Sequence, residues 1–237
     1  IGQNLVGHQY LANSLNVLYV YSNTGYQETH KDPCLMKAIN NPRHIVNRLS
    51  LITDIATIFE GRGYERSKRQ AVIRRLKVAL QTGFNEVQTR FLANGNCTVV
   101  LSGNTLLVDQ LVRVIFDIAT DRVYPVAIRS TSEQLSVVAV GGYGRKELAP
   151  YSDIDLMLLH PYKQTPYIEQ VVEFILYMLW DLGLKVGHST RSCDDCIRLS
   201  KRDVSIQTSL LDARYIWGDQ APFNEFLYRY QAEVVKG

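Results

Sequence analysis

Residues 139 to 159, AVGGYGRKELAPYSDIDLMLL, concentrate the residue types that do chemistry. An apolar run ends on the adjacent glycines Gly141 and Gly142, and Asp153 and Asp155 lead into the next apolar run. Side chains alternate along a strand, so the two carboxylates face the same way while Ile154 and Leu156 point into the core. At about 6 Å and an effective dielectric near 20 their repulsion is roughly 3 kcal/mol, which a divalent cation would offset. Hard oxygen ligands on a strand, with solvent or phosphate completing the shell, describe magnesium better than zinc. Glycines without Cβ let backbone amides approach a ligand, and a short helix starting at YGRKEL would aim its N-terminus at an anion. Together these halves predict a site for a magnesium nucleotide.

Commoner glycine motifs do not fit. A Rossmann turn needs a third glycine where GYGRKE has glutamate, and a Walker A loop needs Gly-Lys followed by Ser or Thr.

The elements that must position these groups are legible around them. LSVVAV (135–140) and DIDLMLLH (153–160) read as buried strands. Thr165 and Pro166 read as the N-cap and first position of a helix that carries Ile168, Val172, Ile175, Leu179 and Leu182 at helical spacing and stops at Gly183. LKVGHSTRS (184–192) reads as a third strand, and the remainder to Val235 as helix-prone with a break near WGDQAP. Upstream, Val72, Leu76, Leu80, Phe84, Val87 and Phe91 form one stripe of an amphipathic helix. Its opposite face, with Arg66, Lys68, Arg69, Arg74, Arg75 and Lys77, reads as a solvated surface. A second helix carries Leu107, Leu111, Val114, Ile115 and Ile118, and Pro125 closes the helical region. Strand, turn, strand, helix, strand flanked by helices is an α/β (α+β) unit with a small mixed sheet. The expected division is an unassigned segment at 1–40, a helical region at 41–124, the core at 125–200, and the start of a following helical region at 201–237.

Composition excludes several classes. The 237 residues are 46% hydrophobic, enough for a sizeable core. A net charge of +3 and a pI near 8.6 predict neither a nucleic-acid nor a membrane partner. The richest apolar stretch, VVEFILYMLWDLGL, is interrupted by Glu173 and Asp181, and no secretory signal is visible, so the expected compartment is the cytoplasm. Cys34, Cys97, Cys193 and Cys196 are too scattered to staple the fold; the CDDC pair reads as reduced structural thiols. The chain opens on Ile1 and closes on EVVKG, which reads as a fragment of something longer.

The double glycine, the gap and the Asp-x-Asp strand resemble the nucleotidyltransferase superfamily of polymerase-beta-like enzymes. More narrowly, VAVGGYGRKELAPYSDIDLMLL followed by EFILYMLWDLGLKVGHSTRSCDDCIRLSKRD is similar to the bifunctional uridylyltransferase/uridylyl-removing enzymes of bacterial nitrogen signalling. The resemblance implies magnesium-dependent transfer of UMP from UTP to a tyrosine of the signalling protein PII, with release of pyrophosphate. It implies that Gly141 and Gly142 contact the triphosphate, with Ser152 a hydroxyl donor to it, and that Asp153 and Asp155 hold Mg2+. Arg145 either binds phosphate or braces the turn, and Glu147 is a bracing partner. Two positions depart from the family: Lys146 stands where a small residue, often Gly, is usual, and His188 stands where the wider superfamily has a third carboxylate. His188 is therefore the candidate base, with Asp194 and Asp195 as alternatives. Relatives also carry a uridylyl-removing HD domain and glutamine-sensing ACT domains, and the expectation is that this chain holds neither. A fragment that binds nucleotide or PII without turnover, or a related transferase with another acceptor, are the competing readings.

Overall fold

The structure, a computed structural model, describes residues 39, 41–59, 66–126 and 129–236. The expectation for residues 1–40 therefore lies almost wholly outside the described residues.

The helical region comprises α1 (Pro42–Ile45), α2 (Arg48–Ile58), α3 (Arg66–Asn94) and α4 (Cys97–Ile118). In α3 the stripe is as expected, with Val72, Leu76, Leu80 and Val87 buried. Its basic face is only partly solvated: Arg75 pairs with Asp54 of α2 and Arg69 with Asp181 at 2.6 Å each. Asn96 caps α4, accepting from the Thr98 amide. By length and composition α4 and the π-helical turn after it (Ala119–Val123) are apolar enough to cross a bilayer, which the sequence reading did not register. Here that helix is a central core element, with 67% of its most apolar window buried in the protein.

The α/β part contains β1 (Ser136–Ala139), α5 (Gly141–Gly144), β2 (Ile154–His160), α6 (Pro166–Asp181), β3 (Val186–Ser192), α7 (Cys193–Ser200), α8 (Val204–Leu211), β4 (Arg214–Gly218) and α9 (Gln220–Tyr230). The sheet is mixed, in the order β3-β2-β1-β4. β2 and β3 are parallel, with Asp155 opposite Gly187 and Leu156 opposite His188; β1 runs antiparallel to both β2 and β4. Thr165 caps α6 through its Oγ, which accepts from Ile168 N, and Pro166 sits at the first position, as the sequence predicts.

One expectation is corrected. The stretch read as helix-prone from about 194 onward contains β4, because Arg214–Gly218 completes the sheet beside β1. Pairing with a strand some 80 residues away, across a bulge between Val137 and Val138, decides its conformation rather than local periodicity.

Alternation along β2 divides the core. Met157 and Leu159 pack with Val138 and with Cys193, Cys196 and Ile197 of α7 and Phe223, Phe226 and Tyr230 of α9. Leu156 and Leu158 face the other way, the side on which Trp180 of α6 meets the ring of His188. The CDDC thiols are core groups: burial pushes both up to about 12, so neither is a thiolate at neutral pH.

Candidate active site

Strand β1 leads straight into the glycine turn. Gly141 has φ of +58°, in the left-handed region that favours glycine, and it opens the one-turn helix α5. The first amides of a helix have no partner inside it, and those of Gly141, Gly142 and Tyr143 make no hydrogen bond among the described residues. Three donors thus remain for a ligand at the head of the turn.

Asp155 faces this turn. A Cβ placed on Gly141 would stand 3.5 Å from Asp155 Oδ2 and 4.0 Å from Ser209 Oγ. On the other flank, a Cβ on Gly187 would come within 2.6 Å of Asp155 Oδ1, closer than side chains approach, so only glycine leaves the carboxylate where it is. Burial, and then the charge of Asp153, push the Asp155 carboxyl above its ordinary range. Two like charges meet at one point of an otherwise apolar strand, which is the electrostatic condition a divalent cation relieves. Among the described residues no third His, Cys, Asp or Glu joins them in a cluster. Two carboxylates with phosphate and water as further oxygen ligands suit magnesium, which keeps several waters and substrate oxygens in its shell.

A cavity of about 340 Å³ opens beside Asp155. Gly187, Ser189 and Arg191 alternate onto this face of β3, and Ser205, Ile206 and Ser209 of α8 form part of the wall. Hydroxyls and a guanidinium facing a carboxylate across a cleft of this size suit a polar, anionic small molecule.

The other residues expected at the site occupy different places. Arg145 braces the turn, donating to Glu147 Oε2 at 2.9 Å and to Asp212 Oδ2 at 2.6 Å. Ser152 Oγ donates to Ala149 O at 2.8 Å within the exposed loop before Asp153. His188 is among the residues that line the cavity with Asp155; it pairs with Leu156 in the register, is exposed, and lies edge-on to Trp180 at 6.0 Å. Asp194 is paired with Arg229. Asp195 is held below the usual carboxylate range by hydrogen bonds from Arg198 and Ser192. Lys146 adopts φ of +66°, which explains why a glycine suits this position. Burial and the nearby Arg214 charge lower its ammonium pKa to about 8.

Sequence reasoning missed Gly187, although a glycine inside a strand pattern signals a close approach. It also missed a buried network behind the turn. Tyr143 Oη donates to Asp109 Oδ1 at 2.7 Å, and Arg214 donates to both Asp109 oxygens at 2.8 and 3.1 Å. The same guanidinium donates to the carbonyls of Tyr143 and Gly144 at 3.1 Å each. An aspartate inside the apolar run LLVDQLV of α4 was the available signal.

A family described as nucleotidyltransferase domain matches residues 127–211. Three curated relatives are each named bifunctional uridylyltransferase/uridylyl-removing enzyme. The protein of Azospirillum brasilense is 47% identical over 84% of this chain and 21% of its own length. That of Rhodospirillum rubrum is 44% identical over 84% and 21%, and that of Novosphingobium aromaticivorans 46% identical over 86% and 22%. The chain therefore spans about one fifth of the length of the curated relatives it matches.

Proposed function

Because the chain carries a nucleotidyltransferase domain, the part of an enzyme that transfers a nucleotide, we propose that it transfers UMP from UTP to a tyrosine hydroxyl of the nitrogen-regulatory protein PII, releasing pyrophosphate. The observation that carries this reading is the placement of Asp155 against the unspent amides of the double-glycine turn. The names of its relatives supply the nucleotide. PII as acceptor, UTP as donor, magnesium as cofactor and the cytoplasm as compartment are the finer parts of the proposal.

The tyrosine oxygen forms a bond to the α-phosphorus of UTP, the bond from that phosphorus to the pyrophosphate oxygen breaks, and the tyrosine proton leaves to solvent or a nearby base. Each group of this chain has a share in that displacement. The amides of Gly141, Gly142 and Tyr143 bind phosphate oxygens and fix the triphosphate in line. Asp153 and Asp155 would hold Mg2+, which when bound neutralises phosphoryl charge and lowers the pKa of a hydroxyl beside it. Ser209 Oγ, close to Gly141, is placed to donate to a phosphate oxygen, and Arg191 supplies a positive charge in the cavity. Arg145 serves the turn rather than the substrate. For the base, Asp194 and Asp195 are held in ion pairs, while His188, which lines the same cavity as Asp155, is the candidate.

The test is incorporation of UMP into PII with UTP and magnesium. Wild-type protein should label PII, and Asp153→Asn and Asp155→Asn should each lower the rate at least 100-fold. Undiminished labelling by either variant would remove the metal assignment.

A further inference from the structure

We propose that Asp109, Tyr143, Asp212 and Arg214 act as one positioning device that fixes the phosphate-binding turn from behind. The inference rests on the reading of the turn as a triphosphate cradle.

A one-turn helix of glycines has little to hold it. α5 spans four residues, three of them glycine, and glycine carries more backbone freedom than any other residue. An isolated turn of this length is not stable alone. Yet catalysis by positioning needs its amides fixed to well under 1 Å.

The fixing comes from residues 212 to 214. Arg214 donates to the carbonyls of Tyr143 and Gly144, so it serves as a C-cap made by a side chain from another strand. Asp212 grips Arg145 through Oδ2, and its own carbonyl lies where a Cβ on Gly144 would come within 2.0 Å, so the two segments touch backbone to backbone. Arg214 in turn is held in place by Asp109, whose two oxygens accept from it and from the Tyr143 hydroxyl. The Asp109 and Arg214 side chains are only 7% and 11% exposed, and Tyr143 is 1% exposed. The Tyr143 phenol is held neutral, well above its ordinary range, by burial and by the Asp109 charge, so it remains a donor.

A charge pair in such surroundings offers little net stability over apolar packing of the same volume. What it offers here is direction: a planar fork accepts one geometry of two carbonyls and a carboxylate, and with it one aim of the amides at the other end of α5. None of the four side chains is placed to touch substrate; they act through the turn.

Tyr143→Phe and Arg214→Lys test this in the full chain. The first deletes one hydroxyl and leaves the Arg214–Asp109 pair intact; the second keeps the charge without the fork. Both are assayed at a temperature where circular dichroism shows full folding. The expected result is a KM for UTP raised at least fivefold, with KM for PII unchanged and Arg214→Lys the more affected. Calorimetry with magnesium tripolyphosphate as probe should show the same weakening. Folded variants with wild-type KM for UTP and wild-type tripolyphosphate affinity would overturn the proposal. So would activity lost only in proportion to unfolded protein, or a wild-type chain that binds no tripolyphosphate. If wild-type protein binds tripolyphosphate in a Tyr143-dependent way but transfers no UMP, the device stands and the assignment of the reaction falls.

Discussion

Replacing Gly187 by alanine separates the carboxylate's position from the protein's stability. Gly187 is the second residue of β3, paired with Asp155, and its backbone is not in the left-handed region, so alanine costs nothing in conformation. Removing a glycine from a strand interior should stabilise the fold by roughly 0.5–1 kcal/mol. The added methyl, however, would stand 2.6 Å from Asp155 Oδ1, where ordinary contact begins at 3.4 Å. The carboxylate must therefore swing by close to 1 Å, toward the Gly141 turn or out into the cavity. Misplacement of that size typically costs about 100-fold in rate, equivalent to roughly 2.7 kcal/mol of transition-state stabilisation. Pyrophosphate release should fall 10- to 100-fold, estimated from the same positioning argument, and the magnesium concentration for half activation should rise, while the thermal midpoint stays level or increases. Gly183→Ala is the matched control. With φ of +84° and open space around it, alanine there should lower stability by about 1 kcal/mol and leave turnover intact. A Gly187→Ala enzyme with near wild-type turnover and magnesium response would refute the reasoning. An enzyme that lost activity and stability in step would refute it as well.

Two further outcomes follow, one from the turn and one from the far end of β2. Lys146→Gly should raise stability by up to about 1 kcal/mol in urea titrations, because the left-handed φ of +66° penalises a side chain; an equal loss would show that the lysine's contacts outweigh its backbone strain. His160 is buried, and its pKa is lowered from 6.5 chiefly by desolvation. Its folded pKa lies below its unfolded one, so the stability it contributes is present above pH 6.5 and lost as pH falls toward the folded value. The slope of stability against pH below 6.5 should diminish in His160→Asn, measured by urea titration across that range; an unchanged slope would assign it to other groups.

The strands and the aspartate pair were legible because each is a local pattern. LSVVAV and DIDLMLLH are short apolar runs bounded by polar turns, and Thr165-Pro166 announces its helix by side-chain chemistry alone. What stayed hidden depends on partners distant in sequence. ARYIWG has no clean alternation, since Arg214 and Trp217 turn to α4, where Asp109 and Asp117 receive them. The face on which His188 lies follows from the register of β3 against β2, a quantity that spacing within one segment does not contain. Gly187 was visible but ambiguous: only the neighbouring strand shows that a carboxylate occupies the space its side chain would fill.

The bond from Arg214 to Gly144 O spans 70 residues of chain. On a ribosome adding roughly 5–20 residues per second, the glycine turn waits about 4–14 s for the segment that holds it. The turn is therefore fixed only after both aspartates have been made. The same distance bears on where the protein can be cut. The family match ends at residue 211, one position before Asp212. A fragment trimmed to that boundary would keep every residue of the proposed metal and phosphate site and lose the strand that aims it.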